Sequence, residues 1–262
     1  MTEAVATAAR GGSWLLEDAP TGSTFTPERM TEEQRLIDQT TREFVTGEVL
    51  EQNDQLEAKD WDLARRLLLR CGELGILGTD VPEEYGGIPL DTVTTALIAG
   101  RLGESGSFST TFGAQTGLAV LPILAFGTEA QKQRYLPGLV SGETVGAYCL
   151  SEAGSGSDAL GAKTRADRQD DGSFRLNGEK MWISNGGFAD VYIVFAKVAG
   201  EHFTAFIVER AFEGVSSGAE EHKMGLIGSS TTPVIFQDAR VPAENLLGEI
   251  GKGHKVAFNV LN

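Results

Sequence analysis

The chain has 262 residues, about twice a usual domain length of roughly 100 to 150 residues, so it is expected to form two modest domains or one large one. With 41% hydrophobic and 23% charged residues it can bury a core, which excludes both a disordered chain and a small disulfide scaffold. The formal net charge of -15 opposes non-specific binding to nucleic acid or to an anionic membrane surface, so neither is an expected partner.

Two further features bear on location and on metal binding. The longest mostly apolar run, residues 118–126, is about half of the ~18 residues that a membrane-spanning helix needs, and the N-terminus lacks the continuous apolar stretch of a signal peptide. A cytoplasmic location is therefore the expectation. Cys71 and Cys149 lie far apart and the three histidines lack metal-ligand spacing, so no metal site is predicted. Both cysteines are expected to be small core residues.

The first half of the chain has the pattern of a helical domain. After a lead-in segment, Thr31 and Gln34 form a capping box, which predicts a helix from near Glu32. A second helix is predicted after Asp60 or Asp62. Its apolar stripe consists of Leu63, Leu67, Leu68, Cys71 and Leu74.

More helices are predicted after a loop. Residues 81–89 hold two prolines and a Gly-Gly pair and must form that loop. Helical periodicity then runs over residues 93–102 and again over residues 108–126, where Pro122 is expected to interrupt it.

The period changes near the middle of the chain. A second capping box at residues 128–131 opens a short helix, which Pro137 and Gly138 are expected to stop after Tyr135. From Thr144 onwards the segments are short, alternating and rich in β-branched residues. A β domain is therefore predicted to begin there.

The β half is predicted to contain a hairpin and several further strands. Alternating segments at 174–176 and 181–183 flank Asn177–Gly178, which is a strong signal for a two-residue turn. Pro242 is expected to end the strand series, and residues 252–262 again have helical periodicity. The further predicted strands are residues 191–198, 203–208 and 234–236.

A Gly/Ser loop follows the first predicted strand, where residues 148–158 read Tyr-Cys-Leu-Ser-Glu-Ala-Gly-Ser-Gly-Ser-Asp. Backbone N–H groups freed by Gly154 and Gly156, together with the hydroxyls of Ser155 and Ser157, would make a concave donor surface. Such a surface suits a phosphate or the edge of a flavin ring. A flexible surface turn is the alternative.

Two nucleotide-binding motifs are excluded. Residues 154–159 satisfy the pattern G-x-G-x-x-A, but Gly161 and the turn signals after it leave no room for the helix that a dinucleotide-binding fold needs. Gly251–Lys252 is followed by glycine where a phosphate-binding P-loop needs Ser or Thr.

A second constellation lies at residues 180–187, which read Lys-Met-Trp-Ile-Ser-Asn-Gly-Gly. Trp182 and Ser184 are two positions apart and would face the same side of a strand, which places an aromatic plane beside a hydroxyl. That pair suits a flat heteroaromatic ligand. The alternative is a sheet edge with one packed Trp.

With these segments the sequence resembles the acyl-CoA dehydrogenases, flavoproteins of fatty-acid and amino-acid catabolism. Residues 148–158 and 180–186 are similar to the two flavin signatures of that family, and residues 224–249 are similar to the stretch that follows them. In the helical half, residues 80–87 and 126–137 look like the family as well. The resemblance is closest to the very-long-chain type and its bacterial relatives.

The resemblance implies an α+β fold. An N-terminal all-helical domain is followed by an antiparallel β-barrel or sandwich domain, and the C-terminal four-helix bundle of the family is expected to be absent from this chain. The implied boundaries are a lead-in at 1–27, the helical domain at 28–143, the β domain with its FAD-binding loops at 144–247, and the start of the last helical domain at 248–262.

The resemblance also implies a reaction. These enzymes use FAD to convert an acyl-CoA thioester into a trans-2-enoyl-CoA, as a carboxylate removes the α-proton and the β-hydrogen leaves as hydride. The catalytic Glu is expected beyond Asn262, so no base can be named and the chain is expected to be a partial enzyme. The expected partners are the acyl-CoA substrate, an electron-transferring flavoprotein as acceptor, and further copies in a homodimer or homotetramer. An acyl-CoA oxidase or flavin monooxygenase on the same fold, or a non-catalytic partner subunit, are the alternatives.

By the same resemblance, eight residues would bind the cofactor: Tyr148, Cys149, Leu150, Ser151, Ser157, Trp182, Ile183 and Ser184. The main chain of Leu150 and the hydroxyl of Ser151 would face the pyrimidine edge of the flavin. Ser157 would reach the FAD phosphate and border the CoA chain, which makes it a substrate contact too. Trp182 would flank the ring, with the next two residues near N5.

Charged residues near these segments are given smaller roles. Glu152 and Asp158 are predicted to fix the loop as hydrogen-bond acceptors. Lys163 and Lys180 are interpreted as solvated strand charges and are assigned no role. The sequence departs from the family pattern at Ala153, where Pro is usual, and at Ser230, where an acidic or amide residue is usual. Neither departure removes a hydroxyl or glycine that the loop would need.

Overall fold

The computed structural model describes residues 25–261, so nearly all of the predicted lead-in lies outside the described residues. Its α-helices are α1 (Glu32–Phe44), α2 (Asn53–Glu57), α3 (Trp61–Glu73), α4 (Thr92–Leu102), α5 (Gly106–Gly113), α6 (Leu121–Phe126), α7 (Glu129–Ser141) and α8 (Gly253–Asn259). Its strands are β1 (Gly146–Cys149), β2 (Arg165–Arg168), β3 (Phe174–Ser184), β4 (Val191–Val198), β5 (His202–Glu209), β6 (Val215–Ser217), β7 (Thr231–Val241) and β8 (Leu246–Leu247). Helices come first and strands after, which is the predicted α+β organisation.

Helices with strong local signals begin where the sequence predicts. The Thr31 hydroxyl accepts from the N–H of Gln34, and the Gln34 side chain accepts from the N–H of Thr31, both at 3.1 Å, so the capping box opens α1. Asp60 caps α3 by accepting from the N–H of Leu63 at 2.9 Å. Each cap satisfies main-chain donors that the first helical turn leaves free.

The predicted stop at Pro137 is wrong, because α7 continues through it to Ser141. Pro137 is exposed, while Leu136 and Leu139 on either side of it are buried in the core. Burial of those side chains outweighs the one helical hydrogen bond that proline cannot donate. The helix ends instead at Gly142, whose φ of 80° is the left-handed conformation of a C-cap.

The predicted interruption at Pro122 is also wrong. Residues Gly106–Phe126 form one helical segment of 21 residues, in which a π-helical stretch, Ala114–Val120, lies between α5 and α6. Pro122 directly follows the π-helical stretch and stands in the first turn of α6. The segment is long and apolar enough to cross a membrane, contrary to the estimate from the apolar run alone, but half of it is buried inside the protein. Its core residues include Phe108 and Ile123.

The strands form one sheet in the order β6-β7-β3-β2-β4-β5-β8, and β1 pairs with β4 beside it. The β1–β4 and β2–β4 pairs are parallel, and the other pairs are antiparallel. The predicted β domain is thus confirmed with two parallel pairings added. The short strand β8 follows Pro242, so the prediction that this proline ends the strand series is wrong. The predicted C-terminal helix is α8.

The predicted hairpin at Asn177–Gly178 is wrong, because β3 runs through both residues without turning. The β3–β7 register shifts at this point, which marks a β-bulge. Gly178 has φ 152°, and a Cβ there would lie 2.5 Å from the hydroxyl of Thr164. The Asn177 side chain accepts from the N–H of Asp238 on β7 at 2.8 Å. Because of these contacts with neighbouring strands, Asn177 and Gly178 form a bulge and not a turn.

Buried polar contacts fix the junction between the helical half and the sheet. Gln115 is fully buried; its amide donates to the carbonyls of Leu139 and Thr144 at 2.7 and 2.8 Å and accepts from Gly146 N at 2.7 Å. Every polar group of that side chain is thereby paired. Gln115 therefore joins the end of α7, the connection after it and the start of β1.

A second tie across this junction is an ion pair. Arg65 of α3 contacts both carboxylate oxygens of Asp190, at 3.0 and 2.8 Å, and also donates to the carbonyl of Phe188. Asp190 accepts from the N–H of Val145 at 2.8 Å as well. Helix α3 therefore orients the start of β4.

Candidate functional site

The two segments singled out in the sequence lie side by side. The N–H of Met181 on β3 donates to the carbonyl of Ser151, after β1, at 2.9 Å. The Lys180 ammonium donates to the carbonyl of Leu150 at 3.1 Å and to Glu152 Oε1 at 2.8 Å. A loop at residues 148–158 and a strand end at residues 180–187 thus make one surface.

A buried ion pair joins these segments. The Lys180 side chain is 0% exposed and that of Glu152 is 9% exposed, so the prediction that Lys180 is a solvated charge is wrong. Glu152 also accepts from the N–H groups of Lys163 at 2.6 Å and Thr164 at 3.0 Å. The prediction that Glu152 fixes the loop as an acceptor is therefore confirmed.

The environment sets the ionisation of this pair. Burial tends to raise the pKa of Glu152, but the hydrogen bonds from Lys180, Thr164 and Lys163 outweigh it and lower the pKa to about 2. Burial lowers the pKa of Lys180, and the contact with Glu152 opposes that change. Because three donors hold the Glu152 carboxylate, it is a clamp between segments and is poorly placed to take up a proton.

The Gly/Ser loop keeps several donors free. Glu152 and Ser155 exchange N–H···O bonds at 2.9 and 3.0 Å, which closes a tight turn. Within residues 25–261, no acceptor contacts the N–H groups of Gly154, Gly156 and Ser157, and a Cβ on either glycine would meet nothing within 4 Å. These exposed, unpaired donors are the groups that the sequence suggests for binding an anion.

The structure places the predicted cofactor residues at different depths. Cys149 and Ile183 are buried, and burial raises the pKa of the Cys149 thiol, so the side chain of Cys149 belongs to the core. Tyr148 is buried too, and its hydroxyl donates to the carbonyl of Ala257 in α8 at 3.1 Å. Ser157 is exposed. The half-buried members are Leu150, Ser151 and Ser184.

Trp182 is the most exposed aromatic side chain of this surface, at 54%. Its φ of 59° is left-handed, and the β3–β7 register shifts between Lys180 and Ile183. The regular alternation that predicted a shared face for Trp182 and Ser184 is therefore broken here. A non-glycine residue in this conformation is costly and is found where the surrounding structure or a ligand contact requires it.

Sequence reasoning missed the residues that hold the turn after β3. Asn185 is fully buried with φ 62°, and its amide donates to the carbonyls of Thr111 in α5 and Gly146 in β1, at 3.1 and 3.2 Å. Ser230 accepts from the N–H of Gly187 at 3.0 Å and donates to Glu220 at 2.7 Å. An Asn before two glycines signals a turn, but nothing local indicates these long-range partners.

Within the described residues, two of the cavities lie away from the two predicted segments. One of about 470 Å³ lies between α7 and the ends of β4 and β5, where its lining includes Arg134, Glu209 and Arg210. The other, of about 160 Å³, lies between α4 and α5 and is lined in part by Ile98 and Phe112. None of the eight predicted cofactor residues lines either cavity. The candidate site is an open surface.

Comparison with known families decides what this surface belongs to. Residues 31–143 match the family described as acyl-CoA dehydrogenase, N-terminal domain, and residues 147–239 match acyl-CoA dehydrogenase, middle domain. This chain belongs to the acyl-CoA dehydrogenase family. The predicted resemblance is confirmed.

Individual acyl-CoA dehydrogenases are similar in sequence to most or all of this chain. A probable acyl-CoA dehydrogenase of Bacillus subtilis is 52% identical over 263 residues, covering 100% of this chain and 44% of that protein. The human mitochondrial very long-chain specific acyl-CoA dehydrogenase is 46% identical over 201 residues, covering 72% of this chain and 31% of that protein. A solved acyl-CoA dehydrogenase complexed with FAD, from Bacillus anthracis, has 54% sequence identity and a TM-score of 0.91, covering 95% of this chain and 44% of that one. The chain therefore spans less than half the length of these relatives.

One departure from the acyl-CoA dehydrogenase pattern, at Ser230, lies beside a carboxylate in the structure. Ser230 stands where an acidic or amide residue is usual, and the structure brings the Glu220 carboxylate to its hydroxyl. A carboxylate is thus present next to position 230, although it comes from a residue ten positions earlier.

Proposed function

We propose that the full-length protein is an FAD-dependent acyl-CoA dehydrogenase that converts fatty acyl-CoA thioesters into trans-2-enoyl-CoA in fatty-acid β-oxidation. In this proposal the present chain supplies the helical domain, residues 28–143, and the flavin-facing β domain, residues 144–247. The observation that carries it is the joining of the 148–158 and 180–187 segments into one donor-rich surface by the Lys180–Glu152 pair.

The residues of this surface fit FAD. The free N–H groups of Gly154, Gly156 and Ser157 suit a diphosphate, because backbone donors in a glycine turn can approach phosphate oxygens closely. The hydroxyls of Ser151 and Ser184 have no hydrogen-bond partner among residues 25–261, and they suit the polar edge of a flavin ring. FAD, when bound, would supply the acceptor for the hydride that leaves the β-carbon.

The proposed roles of the individual residues follow the family signatures. The Leu150 main chain and Ser151 hydroxyl face the pyrimidine edge, and Ser157 reaches the FAD phosphate and borders CoA. Trp182 flanks the ring, and Ile183 and Ser184 lie near N5. For Cys149 and Tyr148 we propose contacts through the main chain, since the thiol is in the core and the phenol is bonded to α8.

The base that removes the α-proton is proposed to be a Glu beyond Asn262. Of the carboxylates at this surface, Glu152 is held by three donors with its pKa lowered to about 2, so it is a weak base at neutral pH. We propose an electron-transferring flavoprotein as the acceptor of the electrons, a homodimer or homotetramer as the assembly, and the cytoplasm as the location.

Anaerobic titration of the purified full-length protein with palmitoyl-CoA tests the proposal. The expected result is bleaching of the bound flavin band with formation of one enoyl-CoA for each flavin reduced. An equimolar mixture of palmitate and free CoA is the control and should leave the band unchanged, since the α-proton of a carboxylate is far less acidic than that of a thioester. A full-length protein that retains no flavin would refute the proposal, and rapid peroxide formation in air would assign the oxidase reaction instead.

A further inference from the structure

We propose that Glu220 is a positioning residue for the flavin surface, acting through Ser230 on the turn that follows β3. The inference rests on the proposed flavin function, since it concerns the geometry of Ser184 and its neighbours within that site.

Both oxygens of the Glu220 carboxylate bind the start of β7. Oε1 accepts from the hydroxyl of Ser230 at 2.7 Å, and Oε2 accepts from the N–H of Thr231 at 2.8 Å. The N–H of Glu221 donates to the carbonyl of Thr231 at 2.9 Å, which ties the same segment from the main chain. A carboxylate that accepts one hydrogen bond at each oxygen fixes the orientation of the bonded segment as well as its distance.

The residues that Glu220 holds are those that hold the turn. Ser230 accepts from the N–H of Gly187 at 3.0 Å through its hydroxyl and from the N–H of Asn185 at 3.1 Å through its carbonyl. Thr231 pairs with Ser184 in the β3–β7 register. Ser230 is fully buried, so water cannot take the place of its partner.

The carboxylate also packs directly against this turn. A Cβ added to Gly187 would overlap Glu220 Oε1 and would lie 2.8 Å from the Ser230 hydroxyl. Gly187 is therefore required by the close approach of the Glu220–Ser230 pair. The Glu220 carboxylate is therefore in direct contact with the turn that follows Ser184.

These contacts connect the half-buried Glu220 carboxylate to the cofactor surface. Trp182, with its left-handed φ, and Ser184 are joined directly to the Asn185 turn. A small shift of that turn moves both side chains, and small shifts of supporting groups are known to change the affinity of a bound group by roughly 10- to 100-fold. A role confined to loop stability would leave cofactor affinity and spectrum unchanged.

The test compares Glu220→Ala with Glu221→Ala in the full-length protein. Glu221 is the matched control, because it has the same charge and binds this region through its main chain, by its N–H to Thr231 and its carbonyl to Lys59. FAD is removed and added back, and its Kd, its visible circular dichroism and its midpoint potential are measured. Glu220→Ala should weaken FAD binding by about tenfold and change the circular dichroism and the potential, whereas Glu221→Ala should match wild type.

Moving the carboxylate from position 220 to position 230 separates an effect on flavin geometry from an effect on loop stability. Ser230→Asp alone places a second carboxylate against Glu220 and should weaken FAD binding by like-charge repulsion. In the Glu220→Ala background the same Ser230→Asp change returns a carboxylate to this position, where it can accept from the N–H of Gly187 as Ser230 does, and should restore the wild-type spectrum. Glu220→Gln, which keeps one acceptor oxygen, should be intermediate and serves if the alanine variant fails to fold.

The outcomes distinguish this inference from the function on which it rests. A wild-type protein that retains no FAD overturns the flavin function and the inference together. A wild-type protein that binds FAD, with Glu220→Ala and Glu220→Gln unchanged in Kd, spectrum and potential, overturns the inference alone. A lower melting temperature with unchanged flavin properties does the same, because it assigns Glu220 to loop stability.

Discussion

Replacement of Lys180 by Met tests the buried pair that joins the two flavin segments. The variant removes the cation but keeps most of the side-chain volume, so the Glu152 carboxylate, only 9% exposed, loses its partner. Breaking a buried ion pair from one side costs about 3–5 kcal/mol. Because Lys163 and Thr164 still donate to the carboxylate, we expect the lower end, about 3 kcal/mol.

Thermal unfolding and urea unfolding of the full-length protein measure this loss. A loss of about 3 kcal/mol corresponds to a fall in melting temperature of roughly 6–12 °C if the two domains of this chain unfold as one cooperative unit of about 250 residues. Lys163→Met is the matched control, since Lys163 is exposed and contacts Glu152 only through its main chain. The control should stay within about 0.5 kcal/mol of wild type.

A double-mutant cycle attributes the loss to the pair. In a Glu152→Gln background the buried Lys180 ammonium has already lost its partner, so Lys180→Met removes a stranded cation and should cost about 1 kcal/mol or less. A Lys180→Met variant as stable as the Lys163 control, or an equal cost in both backgrounds, would refute the reasoning. We also expect Lys180→Met to weaken FAD retention. Unchanged retention would mean that the two segments are not joined through this pair.

Three further predictions concern pH, backbone geometry and the loop. The folded-state pKa of Glu152, about 2, lies below its usual 4.5, so its contribution to stability is present above about pH 4.5 and is lost as pH falls towards 2. Glu152→Gln should therefore flatten the acid limb of the stability–pH curve by roughly 3 kcal/mol, and an unchanged acid limb would contradict the assignment. Gly178→Ala should cost about 2 kcal/mol or more in urea unfolding because of its close approach to the chain before β2, whereas Gly200→Ala, with positive φ but open space, should cost about 1 kcal/mol; equal costs would argue against the bulge contact. Ser157→Ala should weaken FAD binding about tenfold, while Ser216→Ala on the exposed edge strand β6 should not, and equal flavin content in both would remove Ser157 from the site.

Elements whose signals are local are predictable from the amino-acid sequence. The capping boxes at Thr31 and Thr128 satisfy donors within three residues, so the starts of α1 and α7 follow from a few neighbouring side chains. Strand β4, a run of Val, Ile and Phe, lies at the predicted residues 191–198 because such a run is stable only when both faces are covered. The two flavin segments were also found in this way, since each is a short motif whose residue types are informative on their own.

Elements whose free energies depend on distant contacts are not predictable from the local sequence. Pro137 remains inside a helix because core burial outweighs one lost hydrogen bond, and Asn177–Gly178 becomes a bulge because neighbouring strands occupy both of its sides. Lys180 is charged and lies in an alternating strand, so its local pattern predicts solvent. Its partner Glu152 is 28 positions away, and the free energy of that pair depends on the folded chain excluding water from both charges.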